Sequence, residues 1–208
     1  MDQSQTLCQI LLNWFIWKMS SNSFTGPIPS FSMAKNMTKL SLSHNNLIGR
    51  ITFTHWKELQ SLVNLDMCYN SLEGSIPTSL FSLPILKELQ LSNNHFSGHI
   101  HEFFNVSSYQ LNTLDLSSNN LEGPIPLSFS ELRGLIFLLL SSNNFRGSLK
   151  VNMILQLTNL LELNLSYNNL FIDYGANSSL WSILKIETLI LAFNKLKTFP
   201  NFLRNQPD

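Results

Sequence analysis

An asparagine that returns every 23 to 26 residues constrains this chain more than any other feature. Asn22, Asn45, Asn70, Asn94, Asn119, Asn143, Asn168 and Asn194 fall into one register, and the same apolar frame stands around each of them. Leu86, Leu89, Leu91, Asn94 and Phe96 make one copy, and Leu111, Leu114, Leu116, Asn119 and Leu121 another. The frame reads L-x-x-L-x-L-x-x-N-x-L. A period of this length belongs to a chain wound into stacked coils, none of which can bury a core alone. Leu, Ser and Asn fill 91 of the 208 positions, a bias with no place in a non-repetitive core.

Each part of the frame has a physical task. The alternation in Leu114-Asp115-Leu116 predicts a short strand with one inward face, and strands of successive coils stack at about 4.8 Å into a parallel sheet. The asparagine lies where the chain turns, and its amide can satisfy backbone groups that the turn would orphan. About four residues on comes Gly, then an aliphatic residue and often Pro, as in Gly26-Pro27-Ile28-Pro29 and Gly123-Pro124-Ile125-Pro126. Gly permits a backbone closed to other residues and Pro limits helix, so the far side should be extended or 3-10-like. Residues 1–13 read as an irregular segment, 14–200 as about eight coils, and 201–208 as the start of a further one. The interval after Gly49 loses its Pro, and Arg50 to Trp56 reads as a short outer helix. Asn168 to Asn194 is the loosest interval. There Phe171-Ile172-Asp173 replaces the Gly signal, and Tyr174 to Ser182 reads as a loop excursion.

Thirteen basic residues balance thirteen acidic ones, and only 12% of the chain is charged. That balance offers nothing for nucleic acid or an acidic membrane surface. The longest apolar run, Leu135 to Leu140, is far short of the roughly 20 residues that cross a bilayer. Ile10 to Trp17 is interrupted by Asn13 and lacks the flanks of a secretion signal. Cys8 and Cys68 stand at least two coils apart, beyond the roughly 7 Å reach of a disulfide.

With L-x-x-L-x-L-S-x-N-x-L-x-G-x-I-P over residues 14 to 200, the sequence resembles the plant-specific leucine-rich repeats. Leu196-Lys197-Thr198-Phe199-Pro200 and Leu163-Asn164-Leu165-Ser166-Tyr167-Asn168-Asn169-Leu170 look like an internal portion of the ectodomain of receptor-like proteins implicated in fungal-wilt resistance. The resemblance implies an α/β repeat solenoid. That is a right-handed leucine-rich-repeat superhelix with a parallel sheet on its concave face and mostly extended or 3-10 convex segments. It also implies an extracellular position at the plasma membrane, recognition of a protein or peptide ligand, and a kinase-bearing co-receptor in the full-length receptor. A secretion signal, cysteine-bearing end caps and a membrane helix do not stand in these residues. A fragment with open apolar edges, poorly soluble alone, is therefore the expectation. Two alternatives stay open: a secreted inhibitor of cell-wall-degrading enzymes and a truncated, non-functional relative.

In this register the third, fifth and eighth frame positions face solvent along the concave sheet. The candidate ligand-binding residues are Lys39, His44, Asp66, Tyr69, Glu88, Gln90, Asp115, Phe137, Leu139, Tyr167 and Phe193. The first half of that face is polar and of mixed sign, and the second carries the apolar and aromatic groups that mark partner surfaces. Four N-x-S/T sequons stand at Asn36, Asn105, Asn164 and Asn177 and suit a glycosylated secreted protein. Asn177, in the loop excursion, is the better acceptor, whereas a glycan on Asn164 would block the concave strand. His95, His99 and His101 are clustered, but two of them replace prolines of other coils and read as surface drift, not metal ligands. Cys68 falls in a small, half-buried slot filled elsewhere by serine. With no phosphate-cradling loop, nucleophile elbow or kinase signature, the sequence predicts no enzyme, cofactor or metal.

Overall fold

The protein is described from a computed structural model over residues 15–31, 33–52, 56, 58–103, 110–173 and 185–197. The expected N-terminal segment 1–13 and the coil start at 201–208 lie outside the described residues. So do Asn105, Asn177, Cys8 and the whole loop excursion at Tyr174 to Ser182.

The fourth frame position determines how the first sheet forms. Leu40, Leu65, Leu89, Leu114, Leu138 and Leu163 are at most 1% exposed, each at the centre of a three-residue strand. These strands, with Ile16–Lys18 and Thr188–Ile190 at the ends, make an eight-stranded parallel sheet in coil order. Register is strict: Asp66 lies beside Gln90, and Gln90 beside Asp115. Stacking leucine on leucine in this way makes one continuous core that runs the length of the array.

A second parallel sheet, absent from the sequence expectation, follows the asparagine turn. Its seven strands are Thr25–Pro27, Asn46–Arg50, Ser71–Gly74, His95–His99, Asn120–Gly123, Asn144–Lys150 and Asn169–Asp173. Gly26, Gly49, Gly98 and Gly147 lie within these strands and Gly74 and Gly123 end theirs, all with φ between 75° and 95°. That backbone bends the strand and turns the next aliphatic residue inward, so Ile76, Ile100 and Ile125 are buried. With Ile172 at the glycine position, all five residues from Asn169 to Asp173 pair with Arg146–Lys150. The loop excursion expected after it, Tyr174 to Ser182, lies outside the described residues.

The return segments are short, as the prolines require. Thr78–Ser82 and Leu127–Glu131 are 3-10 helices that begin just after Pro77 and Pro126. Val151–Leu155, where no proline intervenes, forms one turn of α-helix. Phe81, Phe103 and Phe129 fill the space behind them, with Phe81 and Phe103 stacked at 4.7 Å. Glu102 ties two coils by accepting the amides of Leu127 and Ser128, both at 2.8 Å. Of the predicted outer helix at 50–56, residues 53–55 lie outside the described residues, and Trp56 is fully buried. Among the described residues no helix is long and apolar enough to cross a membrane.

The asparagines join coil to coil. Asn94 accepts the amide of Leu72 in the preceding coil at 3.0 Å and donates to that coil's Met67 carbonyl at 2.9 Å. It also donates to Leu91 and Ser92 in its own turn. Asn45, Asn70, Asn119, Asn143, Asn168 and Asn194 repeat the pattern, always reaching back to the coil before. Among the described residues Asn22 bonds to Met19 and Ser20 of its own turn.

Candidate functional site

The eighth frame position sits immediately before each asparagine, where the chain reverses with φ between 53° and 57°. Bulky residues seldom adopt this left-handed backbone. Here it recurs eight times, at Ser21, His44, Tyr69, Asn93, Ser118, Ser142, Tyr167 and Phe193. Its consequence is that these side chains stand out along one rim of the first sheet. Aromatic groups one coil apart meet face to face: His44 on Tyr69 at 4.3 Å and Tyr167 on Phe193 at 4.4 Å. Tyr69 is half exposed, and Phe193 is 71% exposed.

Below the first of these stacks lies a cavity of about 340 Å³, open to solvent. It brings together His44, Asp66, Tyr69, Gln90 and Asp115 from the predicted set. Seventh-position residues Ser43, Cys68, Ser92 and Ser117 complete it, with Asn93. The sequence expectation names the third, fifth and eighth positions as solvent-facing and so omits the seventh, a small half-buried slot. The signal was nonetheless present as the run of small residues in register at 43, 68, 92 and 117. Lys39, Glu88, Phe137, Leu139, Tyr167 and Phe193 share the sheet surface but lie outside the cavity. Phe137 is exposed and Leu139 half-buried, in the strand Phe137–Leu139.

Hydrogen bonds divide the two carboxylates into different roles. Both oxygens of Asp66 are engaged. Oδ2 accepts from Ser41 and Ser43 at 2.8 and 2.6 Å, and Oδ1 accepts from the Cys68 amide at 3.1 Å. Asp115 uses only Oδ1, which accepts from the amide and hydroxyl of Ser117 at 3.0 and 2.6 Å. Asn164 makes the same pair of bonds to Ser166 at 3.1 and 2.7 Å, so a neutral amide oxygen serves this turn equally well. Among the described residues neither carboxylate is paired with a lysine or arginine; the ion pair found, Lys35 with Glu58, lies elsewhere on the surface.

Cys68 is a free, buried thiol that accepts from the Ser92 hydroxyl at 3.1 Å. Burial pushes it up to about 12, against the lowering effect of that hydrogen bond, which leaves it a neutral wall group. His95, His99 and His101 are exposed, and no group of three or more His, Cys, Asp or Glu among the described residues is placed to hold a metal ion. Of the sequons within the described residues, Asn36 is exposed. Asn164 is half-buried in the sheet, with its amide oxygen occupied by Ser166.

Comparison with known proteins follows the same lines. Leucine rich repeat family models match residues 35–96 and 110–132. Over 65 residues, 31% of this chain, the sequence is 37% identical to a receptor protein kinase-like protein of Arabidopsis thaliana, of which it covers 9%. The Arabidopsis receptor kinase HAESA, solved with the peptide hormone IDA and the co-receptor SERK1, superposes over 87% of this chain at 30% identity and a TM-score of 0.78. The plant peptide hormone receptor RGFR1, solved in complex with RGF2, does so over 84% at 32% identity and 0.73. This chain spans 30% and 27% of those two chains. Repeat, coil geometry and relatives agree: the protein is a leucine-rich-repeat solenoid, similar to part of these plant receptor chains.

Proposed function

We propose that the chain is a ligand-recognition module of a plant cell-surface receptor-like protein, on the extracellular side of the plasma membrane. A protein or peptide ligand binds across the eight-stranded sheet, and a kinase-bearing co-receptor passes the signal on in the complete receptor. We place it in the defence branch, with the wilt-resistance receptor-like proteins, on its repeat motif. The observation that carries the reading is the combination on one sheet surface of an open polar cavity with exposed aromatic rims. A sheet cross-linked at every coil loses little freedom on binding, so its contacts go into affinity. Two solved relatives, HAESA in complex with the peptide hormone IDA and the peptide hormone receptor RGFR1 in complex with RGF2, support the same class of partner. Asn36, exposed in its sequon, is the acceptor we assign for glycan among the described residues.

The test is a binding screen of the purified chain against synthetic plant signalling peptides and secreted microbial proteins. Each hit is then repeated with Tyr69, Phe137 and Tyr167 all changed to Ala. Loss of binding by about tenfold or more in the triple variant is the expected result, given what exposed aromatic anchors contribute. Hits that bind the triple variant with unchanged Kd would refute the assignment to this face.

A further inference from the structure

The geometry points to a ligand class for the cavity: a cationic side chain of an extended peptide, arginine ahead of lysine. This deepens the peptide-recognition reading above and rests on it. The cavity is at the small end of ligand pockets, a size for one side chain and not for a whole ligand. One wall is the His44–Tyr69 stack, whose outer ring offers an exposed aromatic face. A planar guanidinium lies on such a face and at the same time reaches a carboxylate, which an ammonium does less well.

The carboxylate it would reach is Asp115. Its Oδ1 makes the strand-exit turn, but its Oδ2 has no donor among the described residues. Asn164 makes the equivalent turn with no charge at all. Gln90 and Leu139 stand at the same frame position in neighbouring coils. The fold therefore asks for no charge at position 115. Asp66 adds a second negative charge on the same floor, with no lysine or arginine of the described residues to neutralise either. A group that the fold does not use, unpaired in a cavity beside an aromatic face, is suited to an incoming cation.

The test starts with a displayed random dodecapeptide library panned on the full chain. Enriched peptides are remade with acetylated N-termini, so that only side chains can supply the cation. Their Kd is then measured on the wild type and on Asp115→Asn. The proposal expects one shared arginine or lysine whose replacement by citrulline or norleucine weakens binding by about tenfold or more, a loss that grows smaller in high salt. Asp115→Asn should show the same loss, and the two changes together no further loss. Asn at 115 keeps the turn as Asn164 does, so an unchanged melting curve separates loss of charge from loss of fold. Enriched peptides without a shared basic residue, or a basic residue whose contribution survives Asp115→Asn, overturn the proposal. If such peptides still lose affinity in the Tyr69, Phe137 and Tyr167 triple variant, peptide recognition by this face stands and only the cation assignment falls. If no peptide is enriched, or binding ignores both sets of changes, both readings fall.

Discussion

Replacing Asn94 by Ala removes the tie between two coils at the middle of the array. The side chain is 5% exposed and holds four backbone groups: the Leu72 amide and the carbonyls of Met67, Leu91 and Ser92. Net loss of hydrogen bonding is about 1 kcal/mol per bond, and a buried amide left without an acceptor adds about 1–3 kcal/mol. Carbonyl groups tolerate under-satisfaction better. The expected destabilisation is about 3–5 kcal/mol. Asn22→Ala is the internal reference, because Asn22 is exposed and among the described residues bonds within its own turn, so its loss should cost less than about 1 kcal/mol. Urea unfolding followed by circular dichroism gives the two values, and hydrogen exchange at the Leu72 amide locates the effect. Asn94→Asp keeps an acceptor for Leu72 but turns a carboxylate toward three carbonyls. It should fare worse than Ala at neutral pH and recover as acid restores a donor. Equal losses in Asn94→Ala and Asn22→Ala, or unchanged protection at Leu72, would refute the view that these amides hold coil to coil.

Two titrating groups give further checks. Cys68, pushed up to about 12 from an ordinary 9.0 by burial, stays neutral in the folded chain. The stability this contributes is fully present below pH 9 and is lost as pH rises from there toward 12. Iodoacetamide at pH 8 should label it far more slowly in the native than in the urea-unfolded chain, and equal rates would contradict its burial. Glu102 behaves in the opposite sense. Partial burial raises it, but hydrogen bonds from Ser128 and from the Leu127 amide outweigh that and hold it below the usual carboxylate range. Its contribution is present near neutral pH and is lost as pH falls through its lowered value. Glu102→Gln should cost about 0.5–1 kcal/mol at pH 7 and progressively less in acid, and a pH-independent cost would remove the charge from the argument.

The coils, their strands and their parallel order were legible because leucine fills the fourth position in every strand of the described sheet but the first, where Trp17 stands. The second sheet was not. Its strands carry polar residues such as Asn46, Glu73 and Ser97 on the outside and a glycine within, which reads locally as a connection. Only the stacking of coils supplies each with a partner. The α-helix at Val151–Leu155 stands in a coil without proline, but its five residues are too few to stand out in the sequence. At the site, the frame yielded the surface positions but not their grouping. His44 and Tyr69 stand 25 residues apart and meet because both precede an asparagine turn with the same left-handed backbone. The difference between Asp66 and Asp115 rests on serine neighbours at 41 and 43 in another coil, which no local pattern encodes.

The backward reach of the asparagines makes the array directional. No coil is chemically finished by its own residues: the amide at Leu47 waits for Asn70, that at Leu72 for Asn94, and that at Leu121 for Asn143. During synthesis the N-terminal coil emerges first, and each later stretch of about 24 residues closes the one before it as it leaves the ribosome. Shortening the chain from its C-terminal end would therefore expose unmet backbone groups in the last remaining coil. Shortening it from the other end, for instance up to the coil of Asn70, would instead leave that asparagine with its own turn intact and no earlier amide to hold.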